Sequence, residues 1–336
     1  MLTSLGTVTL KSGERVSAAV VRAPDAEWAP KLERFLAHKG GIWNWQNSEL
    51  LRHDVGVEAR FHVLHRGGIP FAHILTAELD GVGLFGHVYT DPADRGQGAS
   101  SSLQTLLIDD FRRRGGRALY LHTDHGSQAY RLYQRAGFVD LEPGSGDMRL
   151  LNMDAAAFDR LGADAAEAGE ATIAPLGWRH WPTSSVLFAG DQPGIVRAAA
   201  LGLVGRSLTE GHFLPLIQAE RARAADEAPG AVALQSPGGV FLGFASRQPH
   251  PHWPGIDVLD CYCHPAWWRR AGDLIAALRI DPKRRLIAHA DARCPQQARA
   301  FEQAGLQRVA TVPGLAGSAT GSGDRADVAM FVRAAT

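Results

Sequence analysis

The chain has 336 residues with 45% hydrophobic content, longer than one ordinary domain and sufficient for two of middling size with real cores. Thirty-five Lys and Arg balance 35 Asp and Glu, which argues against nucleic acid or an anionic membrane as a general partner, and no run approaches a membrane span. Three cysteines, none in a matched pair of pairs, and an N-terminus lacking an apolar run after basic residues, predict a reduced, cytoplasmic setting.

In chain order, Thr7 to Leu10 and Val16 to Val21 read as strands around a Lys11-Ser12-Gly13-Glu14 turn. Pro24-Asp25-Ala26-Glu27 opens a helix to about His38, with Trp28, Leu32, Phe35 and Leu36 on one face. Gly40-Gly41 ends it, and after Ile42 to Asn47 a shorter helix is expected from Ser48. Two strands follow, Glu58 to His65 and Ile69 to Leu79, joined by Arg66-Gly67-Gly68, a hairpin signal. Asp80-Gly81 turns the chain into an apolar, β-branched strand, Leu84 to Thr90, which Asp91-Pro92 breaks.

Next comes Arg95-Gly96-Gln97-Gly98-Ala99-Ser100, then a helix opening with Ser101 to Ile108. A helix start carries free N–H groups and the positive end of the dipole, so it can hold a phosphate, and the glycines let backbone approach closely. By itself the loop is also an ordinary helix-start turn. It lacks the third glycine of a dinucleotide fingerprint and the Gly-Lys-Ser/Thr of a P-loop. A strand, Ala118 to Thr123, and a short helix between Gly126 and a terminating Gly137 complete the unit. Leu141 to Gly146 is a loop, Met148 to Met153 a closing strand, and Asp154 to Glu170 a solvated helix or linker.

These motifs resemble the acyl-CoA-binding core of the GNAT N-acetyltransferase superfamily. Its loop reads Arg/Gln-x-x-Gly-x-Gly/Ala, and here Arg95-x-x-Gly98-x-Ser100 departs only in the last small residue. Its later motif, Ala-x-x-apolar-Tyr-x-x-x-Gly-Phe, is matched by Ala129, Leu132, Tyr133, Gly137 and Phe138. The resemblance spans residues 55 to 150. It implies an α/β fold built on a mixed sheet, acetyl-CoA as co-substrate, and a small-molecule or peptide amine as acceptor. It also implies that N–H groups of Gly96, Gln97, Gly98, Ala99 and Ser100, with Arg95, hold the pyrophosphate. Val88, Tyr89 and Thr90 would line the pantetheine arm and polarise the thioester. Tyr133 would protonate the leaving thiolate, although a tyrosine on a short helix is often core. Four residues on or beside the strands are candidates for the general base: Glu78, Asp80, His87 and His122, with His87 and Glu78 foremost. The first helix pair would cover the acceptor cleft, making Trp43 and Trp45 candidates for the substrate wall, or simply core aromatics.

The second half repeats the plan weakly. Ile256 to Pro265 aligns with the central strand and its break, Leu286 to Ala290 with the next strand, and Ala300 to Leu306 with Leu132 to Phe138. Val328 to Val332 would close the sheet. Trp267 and Trp268 stand near the place of the glycine loop, and Phe301 replaces Tyr133, losing the hydroxyl. Two tandem GNAT-like domains are therefore expected, 1–153 active and 172–336 degenerate and catalytically silent, with 154–171 between them. Cys261-x-Cys263-His264 lacks a second ligand pair, so no metal is expected. Monomer and homodimer both remain open. A non-catalytic acyl-CoA sensor or scaffold, and acyl transfer to an acceptor other than an amine, are the alternatives.

Overall fold

The computed structural model describes residues 1–317 and 325–334. The remaining parts of the domain expected over 172–336, at 318–324 and 335–336, lie outside the described residues. The chain divides into two compact units, Met1–Asp140 with Gly146–Asp154, and Leu141–Ser145 with the chain from Ala155 onward.

The first unit runs β1 (Leu2–Thr9), β2 (Arg15–Arg22), α1 (Ala29–Leu36), α2 (Gly41–Arg52), β3 (Glu58–Arg66), β4 (Ile69–Leu79), β5 (Val82–Thr90), α3 (Ala99–Arg113), β6 (Ala118–His122), α4 (Gln128–Arg135), β7 (Val139–Asp140) and β8 (Asp147–Leu151). Its sheet has the order β1-β2-β3-β4-β5-β6-β8-β7, antiparallel except for the β5/β6 pair. Leu103, Leu107 and Phe111 of α3, with Tyr130 and Tyr133 of α4, form a core with Leu64, Ile74, Phe85, Leu119 and Leu121 of the strands. Burying each such side chain stabilises by about 1.5–3 kcal/mol, so this core anchors both helices that bound the site.

One helix begins earlier than expected. The chain enters α2 at Gly41, seven residues before Ser48, because Gly40 and Gly41 take φ of +70° and +45° and turn directly into it. Residues 42–47 contain no breaker, and the Asn44 side-chain amide donates to the Ala37 carbonyl at 3.0 Å.

The second unit runs α5 (Ala155–Ala168), β9 (Thr172–Pro175), α6 (Trp181–Phe188), β10 (Val196–Ala198), β11 (Leu203–Val204), α7 (Glu210–Ala222), β12 (Ala231–Gln235), β13 (Phe241–Pro249), β14 (Ile256–Cys263), α8 (Ala271–Ala277), β15 (Arg285–Asp291), α9 (Pro295–Gln303), β16 (Gln307–Gly317) and β17 (Arg325–Arg333). Its main sheet reads β9-β12-β13-β14-β15-β17-β16, with β14/β15 the parallel pair. This is the order of β2-β3-β4-β5-β6-β8-β7. The segment expected as solvated helix or linker forms α5 and packs within this unit. Phe158 is buried, Trp267 Nε1 donates to the Gly162 carbonyl at 3.1 Å, and a Cβ on Gly162 would meet His264 at 2.7 Å.

Candidate active site

The site of the first unit begins at a defect in β5. Register runs His73↔Tyr89 and Leu75↔Gly86, so His87 and Val88 stand opposite the single residue Ile74, a β-bulge. His87 takes φ +57°, uncommon for a residue with a side chain. Buried His73 holds the bulge by donating from Nδ1 to the His87 carbonyl at 3.1 Å. Beyond the bulge, β5 also leaves its parallel neighbour. Pairing with β6 ends at Leu84↔Tyr120, so Val88, Tyr89 and Thr90 run on along an open fork.

That fork forms one wall of a cavity of about 950 Å³. Val88, Tyr89, Thr90, Arg95, Gly96, Gln97, Gly98, Ala99, Ser100 and Tyr133 all line it. Gly96 and Gly98 have φ of +78° and +82°, and Gly98 is the N-cap of the 15-residue helix α3, which no side chain caps. The first N–H groups of α3 are thus available to an anion. Thr90 and Ser100 join loop and strand through their hydroxyls at 2.8 Å, and Arg95 Nε donates to the Thr90 carbonyl at 3.2 Å with its guanidinium over the Tyr89 ring. Tyr133 is 7% exposed, its ring edge-on to Phe85 at 5.5 Å. The cavity falls in the size range of small-molecule sites, with Lys11, Arg95 and the start of α3 in its lining, which suits an acyl-CoA.

The candidate bases separate. The structure does not bring Glu78 to the cavity. It pairs with Gly83, five residues short of Val88, about 16 Å along the strand. Its carboxylate is buried in a bidentate pair with Arg114 at 2.8 and 3.0 Å, and Thr76 donates to it at 2.7 Å. Asp80 sits in the β4–β5 turn, where Arg117 donates to its carbonyl. His87 is at the fork, but burial, with Lys39 and His38 nearby, pulls its pKa down to about 3. The Asn47 side-chain amide lies 3.5 Å from His87 Nδ1. A pKa this low makes the ring a weak base at neutral pH. His122 lies two residues past the last β5/β6 pair, half exposed, with Nδ1 2.7 Å from the Asp147 carboxylate.

Trp43 and Trp45 do not form one wall. Two residues apart on α2, they point about 200° apart. Trp43 stands edge-on to His87 at 5.1 Å, beside the fork, and Trp45 projects from another face. Sequence reasoning missed Thr9, Leu10 and Lys11, which also line the cavity. They arrive through contacts between the β1–β2 turn and Gln97 that no local pattern announces. Ser127, Gln128 and Arg135 of the α4 region line it too, adjacent to the motif already noted.

Residues 25–138 match the acetyltransferase (GNAT) family, so the first unit carries a GNAT acetyltransferase domain. No curated protein sequence matches the chain. Among solved structures, the chain is similar to yncA from Salmonella typhimurium, solved with its cofactor acetyl-CoA, at 16% identity over 48% of this chain and 92% of that one (TM-score 0.37). It is similar to the GNAT domain of S. lividans PAT at 16% identity over 44% and 96% (TM-score 0.34). A GNAT-family acetyltransferase from Bacillus anthracis gives 12% identity over 48% and 93% (TM-score 0.31). Among the described residues, no group of three or more His, Cys, Asp or Glu is placed to hold a metal, and no helix is long and apolar enough to cross a membrane.

Proposed function

We propose that the chain is an N-acetyltransferase that moves an acetyl group from acetyl-CoA to the amine of a small molecule or peptide, using the first unit alone. The observation that supports this best is the cavity joining an uncapped helix start to the bulged, forked strand, with Tyr133 on its wall. Acetyl-CoA supplies the activated thioester. N–H groups at the start of α3, with Arg95, neutralise the pyrophosphate. The backbone of Val88 to Thr90, open on the side that faces away from β4, orients the pantetheine arm and offers an N–H to the thioester oxygen. A C–N bond forms, the C–S bond breaks, and the Tyr133 phenol gives its proton to the sulfur. The amine proton leaves through water to solvent. His87 stays neutral at the fork, with Trp43 beside it. The second unit is a degenerate copy with a structural role.

Calorimetric titration with acetyl-CoA, counting sites, tests this reading. One site per chain is expected. Two sites would give the second unit a ligand, and none would remove the acetyltransferase reading. Binding without thiol release on any amine offered would favour a sensor.

A further inference from the structure

The family match begins at residue 25, so the β1–β2 hairpin lies outside it, yet that hairpin touches the phosphate loop at several points. Lys11 N donates to the Gln97 carbonyl at 3.1 Å and Ser12 N to Gln97 Oε1 at 3.0 Å. Arg66 makes a second stitch, holding Glu14 of the hairpin turn at 2.7 and 2.8 Å and Asp94 of the loop at 2.7 and 3.1 Å. Within the turn, Gly13 at φ +86° closes on the Leu10 carbonyl and Leu10 N on the Glu14 carbonyl. The turn is therefore fixed in place against the loop at both of its sides.

The consequence concerns charge. The stem of Lys11 crosses the N-cap of α3, with Cγ and Cε each 3.9 Å from where a Cβ on Gly98 would stand, and Lys11 lines the cavity. The acids of this corner, Glu14 and Asp94, are both taken by Arg66, while among the described residues Lys11 forms no ion pair. Its ammonium is left to the cavity at the point where the α3 N–H groups converge.

Resting on the acyl-CoA reading above, we infer that Lys11 is a second cation of the cofactor site, delivered by the N-terminal hairpin to the pyrophosphate of coenzyme A. A lysine presents a compact charge that suits phosphate without needing planar geometry, and the stitched turn spares it the entropy of finding its place.

The test is calorimetry of CoA and 3′-dephospho-CoA on the wild-type chain, Lys11→Met and Lys11→Arg. Methionine keeps the stem over Gly98, and far-UV circular dichroism verifies folding. Lys11→Met should bind both ligands about fivefold to tenfold more weakly, with Lys11→Arg near wild type. Unchanged affinity in Lys11→Met overturns the assignment while leaving the acyl-CoA site standing. A loss seen with CoA and absent with 3′-dephospho-CoA overturns it too, moving the contact to the 3′-phosphate. A wild-type chain that takes up no CoA fails at the earlier step, and the acyl-CoA reading falls with the inference.

Discussion

The parallel pairs β5/β6 and β14/β15 occupy the same place in two sheets of like order, and each pair parts after a short run. The first parts after Leu84↔Tyr120, the second after Leu259↔Ala288. Past that point the first unit has a cavity and the second has its own chain. The N–H groups of Ala199 and Ala200 donate to the Asp260 carboxylate at 2.8 and 3.0 Å, and the Tyr262 hydroxyl donates to the Pro193 carbonyl at 2.9 Å. Ile195 N donates to Asp291 at 2.6 Å, and Gln297 Nε2 reaches both Val196 and Cys261 carbonyls. Residues 193–200 thus bridge both strands across the opening. The helix start differs in step: the first unit has two glycines and a long helix, the second a 3-10 turn at Pro265–Arg270 with Trp267 fully buried and a seven-residue helix. An opening in a sheet leaves backbone groups that must find partners. One fork opens onto a cavity, and the other satisfies them internally.

The largest effect should come from the residue that shapes the filler. Arg197, 2% exposed, donates to the carbonyls of Phe188, Gly190, Gln192, Leu187 and Gly194 at 2.5 to 3.4 Å and lies over the Tyr262 ring. Arg197→Met strands these acceptors and should cost about 3–5 kcal/mol. Scanning calorimetry should show a lowered transition, while titration below that transition still counts one acetyl-CoA. An unshifted transition would mean the segment is held by something other than Arg197.

Tyr133→Phe gives the first unit the residue that the second has at Phe301. The ring contacts to Phe85 and Phe138 survive, so acetyl-CoA affinity should hold. Thiol release with an amine acceptor should fall about 10²–10³-fold, the range of a lost general acid. Full turnover in Tyr133→Phe would return that tyrosine to the core.

Much of this contrast was legible in the sequence because it rests on local chemistry. Gly67-Gly68 and Asp80-Gly81 mark hairpins, Gly96 and Gly98 take the φ values only glycine adopts easily, and Gly137 ends α4. The strand pattern of both halves followed from apolar runs between such breaks. Non-local features were not legible. His87 bears the strained φ of the bulge with nothing in its neighbours to announce it, and Glu78 looked accessible until Arg114, 36 residues away, closed on it. Residues 193–200 carry no motif at all. Their role is set by Asp260 and Tyr262, some 60 residues distant, and by Asp291 and Gln297, about 100 residues distant.

The smallest predicted effect separates the units by pH. Burial keeps His87 neutral, with its pKa near 3 against an ordinary 6.5. Its contribution to the first unit is complete above about pH 6.5 and is lost as pH falls toward 3. Asp260 runs the other way. Burial raises its carboxyl from 3.8 to about 7, although the Ala199 and Ala200 N–H groups pull it down. The folded second unit then holds a proton that the unfolded chain releases. That stability is complete below about pH 4 and is lost as pH rises to 7, at most about 1.4 kcal/mol per unit. His180, held near 4 by burial in the same unit, has the sign of His87, so the carboxyl must be read by difference. Amide exchange of β14 peptides, wild type against Asp260→Asn at each pH, cancels both His180 and the intrinsic exchange rate. The wild-type advantage should shrink by about 1–3 kcal/mol between pH 4.5 and 7. Parallel curves would mean that the two N–H donors keep Asp260 charged throughout, so that the second fork is sealed by a carboxylate in a backbone nest and not by a shared proton.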